Sequence, residues 1–259
     1  MDTPACATLR TRFDGDIAYL QIHRPQANNT INEQLIREFT AALDVCDTRC
    51  KIVVIEGLPE VFCFGADFKE LEQSSEGGES RQQDPRPMYA LWGRLATGPF
   101  VSIAHVRGKA NAGGIGFVAA CDIVLADAAA VFSLSELLFG LMPACVLPFL
   151  IRRIGFAKAN YMTLMTQPVT VQQAQEWGLV DAYEENSDNL LRKNLLRLRR
   201  LNKTGVARYK RYLHAIDGSI DAAEDAAITA NREVFADSQN LQRIARYVRT
   251  GQFPWEGDS

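Results

Sequence analysis

Two apolar, strand-like runs, Ile52–Glu56 and 100–105, each lead through a glycine-bearing segment into a run with helical spacing. The segments are Phe62-Cys63-Phe64-Gly65-Ala66-Asp67 and Gly108-Lys109-Ala110-Asn111-Ala112-Gly113-Gly114-Ile115-Gly116. Strand followed by amphipathic helix, repeated, is the pattern of an α/β fold in which crossover helices join parallel strands. It also lets two helix starts bring their unpaired backbone N–H groups to one point. Two converging N–H donors form an oxyanion hole, suited to the enolate oxygen that forms when a thioester loses an α-proton. Glycine there lets a substrate carbonyl reach the backbone with no Cβ in the way. Taken singly, a Gly-Gly after a strand reads more often as a tight turn, so the constraint comes from the pair.

The remaining pattern agrees with this frame. Strands at 8–12 and Ile17–Ile22 flank an Asp14-Gly15-Asp16 turn and predict a hairpin. Asn32 precedes Leu35, Ile36, Phe39, Ala42 and Leu43 at helical spacing. Further core strands are expected at Val101–Val106, 123–125 and 131–134, and buried helices at 146–154 and 157–165. A helix over 171–177 should end at Gly178. From 190 onward the chain reads as helical and more polar, giving a core over 1–190 and a helical region over 191–259, with no internal repeat in the sequence. The stretch 73–87 is nearly devoid of apolar residues and predicts a mobile surface loop, either an exposed insertion or a lid over the site.

Composition excludes several classes. No run of eighteen uncharged apolar residues is present, and Met1-Asp2-Thr3-Pro4 lacks the basic-then-apolar order of a signal peptide, so a cytoplasmic protein that does not span a membrane is expected. Cys6, Cys46, Cys50, Cys63, Cys121 and Cys145 are scattered among apolar residues without a C-x-x-C pair, which points to reduced, buried thiols rather than zinc or disulfides. No metal-ligand cluster stands out, and Gly113-Gly114-Ile115-Gly116 lacks the spacing of a dinucleotide site. The formal net charge is only −3, yet Arg192, Lys193, Arg197, Arg199, Arg200, Lys203, Arg208, Lys210 and Arg211 form a basic block with no acid among them. That block reads as a solvated helix face, or as a contact for pantetheine phosphates or an acidic carrier protein. Nucleic acid is disfavoured because no recognition motif accompanies it.

For proton transfer the strongest candidate is Glu136, in Phe132-Ser133-Leu134-Ser135-Glu136-Leu137-Leu138-Phe139-Gly140. A carboxyl among apolar residues has its charged form disfavoured and its pKa raised, which suits a group that both takes and gives a proton. The competing reading is a surface glutamate at a helix start. Asn111 reads either as a ligand for a substrate carboxylate or hydroxyl or as a cap for the following helix. Cys145, beside Pro143-Ala144, reads as a pocket-filling thiol, and His23, His105 and His214 as structural.

The two glycine segments, in this order, resemble the crotonase (enoyl-CoA hydratase/isomerase) superfamily along nearly the whole chain. The resemblance implies a crotonase fold, a spiral of ββα-type repeats with a C-terminal helical trimerisation region, assembled as a homotrimer or dimer of trimers. It implies that the N–H groups of Ala66 and Gly113 hold the thioester oxygen, that Glu136 is a catalytic acid/base, and that Ala27, Gly65 and Gly114 join Asn111 around the substrate. A second glutamate expected three residues after Gly113 is absent, since Gly116 stands there. The segments 24–32, 57–67, 134–140 and 250–255 are further similar to the dehydratases of polyketide β-branching cassettes. That similarity implies a bacterial enzyme acting on 3-hydroxy-3-methylglutaryl thioester, held on the phosphopantetheine of an acyl carrier protein, without a further cofactor, and supplying a downstream decarboxylase. The alternatives are that decarboxylase itself, a hydratase acting on free coenzyme A thioesters, or a non-catalytic scaffold of the same fold.

Overall fold

The structure is a computed structural model that describes residues 7–68 and 84–256. Among the described residues ten strands form two sheets: a six-stranded one in the order β1-β2-β3-β5-β7-β10 and a four-stranded one in the order β4-β6-β8-β9. β1 (Leu9–Asp14) and β2 (Ile17–Ile22) are the expected antiparallel hairpin. Asn32 accepts a hydrogen bond from Leu35 N at 3.0 Å and starts α1 (Glu33–Arg49). The large sheet then grows in parallel through β3 (Ile52–Glu56), β5 (Val101–Val106), β7 (Ile123–Asp127) and β10 (Ala182–Glu184).

Three strands of the large sheet are each followed by a short one in the second sheet: β4 (Val61–Cys63) after β3, β6 (Lys109–Asn111) after β5, and β8 (Val131–Ser133) after β7. β4, β6 and β8 pair in parallel, with Val61 beside Lys109 and Lys109 beside Val131. The short β9 (Val169–Thr170) closes that sheet antiparallel to β8. This alternation is the spiral, and it lives in backbone topology rather than in recurring residues. It also corrects one expectation. The glycine segments do not close the long strands 52–56 and 100–105 directly, because β4 and β6 intervene.

The continuous apolar character of β3 follows from burial on both faces. Val53 and Ile55 enter the main core, while Ile52 and Val54 meet Leu190, Leu191, Leu195 and Val206 from α6 (Ser187–Leu198) and α7 (Lys203–Ile216). α2 (Arg86–Thr97) and α3 (Gly113–Ala120) cover the inner face. α4 (Leu147–Met165) breaks at Gly155, where φ is 75°, so the two expected helices are one element with a kink. Its second half is not buried as expected: Phe156 is 70% and Leu164 63% exposed in the single chain. α5 (Val171–Glu176) ends before Gly178 as predicted.

The region after 190 is helical, through α8 (Ser219–Ala236) and α9 (Ser238–Thr250). It shares the main core, since Ile220, Ala227 and Ile228 of α8 lie within it. Cys46, Cys50, Cys63, Cys121 and Cys145 are free and buried, as the sequence indicated, and Cys6 lies outside the described residues. Most of the expected loop 73–87 lies outside the described residues, and its last two positions already belong to α2. Among the described residues no helix is long and apolar enough to cross a membrane.

Candidate active site

The two glycine segments meet. A Cβ on Gly65 would lie 2.7 Å from Ala112 Cβ and 2.9 Å from Gly113 N, and one on Gly113 would lie 3.4 Å from Gly65 Cα. Gly65 has φ +86°, a conformation open to glycine at little cost. Ala112, the residue before α3, holds φ 51° and ψ −122°, which a side-chain-bearing residue adopts only under constraint. The constraint is visible: Ala112 N donates to Ser133 O at 3.0 Å, and Ile31 bridges Ala66 through Ile31 N to Gly65 O (2.7 Å) and Asp67 N to Ile31 O (3.2 Å). The N–H groups of Ala66 and Gly113 have no hydrogen-bond partner among the described residues. Both residues line a cavity of about 790 Å³.

Glu136, Asn111 and Ala27 line the same cavity. Gly65 and Gly114 stand behind its wall; a Cβ on Gly114 would sit 2.3 Å from Cys63 O. Glu136 opens a short 3-10 helix (Glu136–Phe139) that Gly140 terminates at φ 79°. Its Oε2 is enclosed and hydrogen-bonds to nothing among the described residues. Burial lifts the Glu136 carboxyl to about 7, against an opposing pull from the backbone N–H groups of Glu136 and Ser135. The other carboxylates lining the cavity are differently placed: Asp67 pairs with Arg24 and Asp84 with Arg232, each at 2.9 Å.

Asn111 does not cap α3, which starts without a side-chain cap. On β6 it sits in register with Ser133 of β8, so its Oδ1 accepts from Ser133 Oγ at 2.8 Å and its Nδ2 donates to Ser135 Oγ at 3.0 Å. One Nδ2 hydrogen is left for a ligand. Cys145 lines the cavity with its thiol pushed up to about 12 by burial, the opposite of a reactive cysteine. The histidines are structural where bonded: His105 sits between Glu56 (3.0 Å) and Ser187 Oγ (2.8 Å), and His214 beside Asp221 (3.1 Å).

The basic block does not reach the cavity, and none of its nine residues lines it. Lys193 pairs with Glu184 at 2.8 Å, Arg199 pairs with Asp14, Lys203 donates to the carbonyls of Cys46 and Cys50, and buried Lys210 pairs with Asp122 at 2.6 Å. The helices of this block pack on the outer face of the large sheet, which places them there. The basic residue that does line the cavity is Lys109 of β6, exposed and without an ion pair among the described residues.

Three positions carry the site without having been legible. Asn29, fully buried at φ 53°, reaches Ile22 O, Val61 O and Phe62 O through Nδ2, each at 3.1 Å, and accepts from Arg24 N at 2.7 Å. Asn240 of α9 donates to Gly140 O and Val234 O at 3.0 Å and so holds the turn that carries Glu136. Trp92 of α2 lines the cavity with its ring edge-on to Phe117 and Phe149, centroids 5.9 Å away in both cases. A Cβ on Gly116 would meet that indole at 2.4 Å. With Trp92 in this place, position 116 has no room for the side chain of the absent second glutamate.

The family model described as enoyl-CoA hydratase/isomerase matches residues 12–258. The bacillaene synthase dehydratase PksH of Bacillus subtilis is 58% identical over 257 residues, 99% of each chain. The crystal structure of the Bacillus subtilis polyketide-biosynthesis enoyl-CoA hydratase pksH superposes with a TM-score of 0.94 at 58% identity, covering 95% of this chain and 99% of that one. The 2,3-dehydroadipyl-CoA hydratase of Escherichia coli is 35% identical over 63% of this chain and 64% of its own.

Proposed function

The chain belongs to the enoyl-CoA hydratase/isomerase family, and from that premise we propose that it is a hydro-lyase of polyketide β-branching, dehydrating a 3-hydroxy-3-methylglutaryl thioester on an acyl carrier protein to the 3-methylglutaconyl thioester. The observation that carries the reading is that, among the described residues, one enclosed and unpaired carboxyl, Glu136, shares a cavity with two unpaired backbone N–H groups while Trp92 closes the place of a second acid. The 58% identity to a named dehydratase supports the same direction.

Under this reading the thioester oxygen accepts from Ala66 N–H and Gly113 N–H. Glu136, as carboxylate, takes the α-proton, and the electron pair of the broken C–H bond moves into the enolate that those donors stabilise. As the carbonyl reforms, the pair becomes the Cα–Cβ double bond and the β-hydroxyl leaves, taking the proton back from Glu136 and departing as water. One carboxyl suffices because it ends as it began. A group with a pKa near the working pH serves both half-steps. Hydration by two carboxylates sharing a water is disfavoured by the crowding at Gly116.

The substrate's distal carboxylate has Asn111 Nδ2 within the cavity as a partner. Homotrimeric assembly belongs to the same reading, with exposed Phe156 and Leu164 of α4 and Tyr212 and Ile216 of α7 offering apolar surface to a second copy. Intact-mass measurement of a 3-hydroxy-3-methylglutaryl carrier incubated with this protein tests the function. Loss of one water, abolished in Glu136→Gln, is expected. Loss of carbon dioxide from a 3-methylglutaconyl carrier would assign the decarboxylation instead, and turnover of free enoyl-CoA alone would assign a coenzyme A hydratase.

A further inference from the structure

Trp92 combines three properties that its packing role does not require. It is completely buried, it lines the cavity, and its Nε1–H has no acceptor among the described residues. Buried indole N–H groups usually find a partner. Its location is fixed by Gly116: a Cβ built there would lie 2.6 Å from Cε2 of the indole, the atom to which Nε1 is bonded. Gly116 stands three residues after Gly113 on α3, on the same helix face and about one turn along from the oxyanion N–H.

Among the described residues, the other buried, unpaired side-chain polar atom lining the cavity is Glu136 Oε2. The two are complementary in kind. An indole N–H only donates, and a carboxylate only accepts. A hydroxyl is the small group that satisfies both, accepting from Trp92 while donating to Glu136. A substrate carboxylate would satisfy Trp92 but repel an ionised Glu136. We propose that the Trp92 Nε1–H donates to the β-hydroxyl oxygen of the acyl group and selects β-hydroxyacyl thioesters over analogues that lack the hydroxyl. The assignment rests on the dehydratase reading above. It makes Trp92 the group that holds the leaving oxygen against Glu136.

The test uses the full-length Glu136→Gln protein, expected to bind without turning over. Its affinities for the pantetheine thioesters of 3-hydroxy-3-methylglutarate and of 3-methylglutarate, which lacks the hydroxyl, are compared with and without Trp92→Phe. The phenyl ring keeps an aromatic over Gly116 and removes the donor. The hydroxylated ligand is expected to bind about tenfold more tightly than its analogue, as one net hydrogen bond gives. That preference disappears in the double variant while binding of the analogue is kept. Equal weakening of both ligands by Trp92→Phe would reduce Trp92 to packing and overturn the proposal, as would a preference that survives it. A readout that needs no change at position 92 is the indole ¹⁵N–¹H signal of Trp92, one of three tryptophans, which should move downfield with the hydroxylated ligand only. A signal that moves equally with both overturns the proposal. If neither thioester binds the Glu136→Gln protein, the substrate reading itself fails, an outcome distinct from binding without preference.

Discussion

Gly65 and Gly113 touch across the two strand ends: a Cβ added to Gly65 would lie 2.9 Å from Gly113 N, the donor proposed for the thioester oxygen. Gly65→Ala therefore displaces the oxyanion hole itself, and at φ +86° it adds about 1 kcal/mol of backbone strain. We expect kcat to fall about a hundredfold, as for loss of one donor. Circular dichroism should report an intact fold with a lower midpoint of unfolding.

Glu136→Gln should separate activity from stability. The folded carboxyl titrates near 7, above its ordinary 4.5, because burial disfavours its charge. The folded state thus holds the proton more tightly than the unfolded chain. The sign follows: below 4.5 both states are protonated and no penalty arises, and between 4.5 and 7 the native state loses stability as pH rises. At pH 8 the glutamine variant should be the more stable protein by on the order of 2 kcal/mol, discounted for access from the cavity. The gain should fade by pH 4.5, and denaturant titrations at the two pH values check it.

Gly116→Ala meets the indole at 2.4 Å and should cost about 1–3 kcal/mol by overpacking. Trp92→Leu alone leaves a hole and is also destabilising. Together they should cost less than the sum, with a coupling of about 1–2 kcal/mol, since each relieves the other. Additive losses in denaturant midpoints would show that the ring moves aside unaided.

The legible part of this molecule was whatever follows from local chemistry. The alternating and continuous apolar runs marked β1, β2, β3 and β5, and Asn32 marked the start of α1, because burial and capping act within a few residues. Glu136 was legible as a carboxyl in apolar surroundings. What escaped depends on contacts distant in sequence. The second sheet is built of short strands whose pairing partners lie tens of residues away, so β4 and β6 merged into their neighbours. The sequence left Asn111 open between a ligand for the substrate and a helix cap, because Ser133 and Ser135 come together with it only through the β6–β8 register. The basic block read as a solvated helix face or an anion contact, yet acids and carbonyls of α1, β10, the first hairpin and Asp122 just before β7 engage Lys193, Arg199, Lys203 and Lys210. Gly116 signalled a missing acid, and only the fold shows Trp92 filling the vacancy.

Asn29→Ala should be among the costliest polar substitutions. Its buried amide ties the segment before Ile31 to β2 and β4, and its removal takes this donor from the carbonyls of Ile22, Val61 and Phe62, of which Val61 O keeps Leu58 N at 2.9 Å. Unsatisfied buried groups cost about 1–3 kcal/mol each, and alanine must also adopt φ 53°. A loss of about 3 kcal/mol or more is expected from these principles, readable as a large drop in unfolding midpoint. Asn29→Gly, which tolerates the backbone, should recover only the strain.

Lys109→Glu tests the carrier side of the proposal. Lys109 is exposed, lines the cavity and has no ion pair among the described residues, so it is available to a phosphate or an acidic partner. An exposed charge contributes chiefly to encounter and is screened by salt. Reversing it should raise KM for the acyl carrier protein by about tenfold at low ionic strength and leave a neutral acyl-pantetheine unaffected. At high salt the wild type should approach the variant on the carrier substrate. Reversing Arg208 and Arg211 of α7, on a helix that packs on the far face of the large sheet, should change little if the carrier approaches from the cavity side. A larger effect from that pair than from Lys109 would move the docking surface to the basic helices.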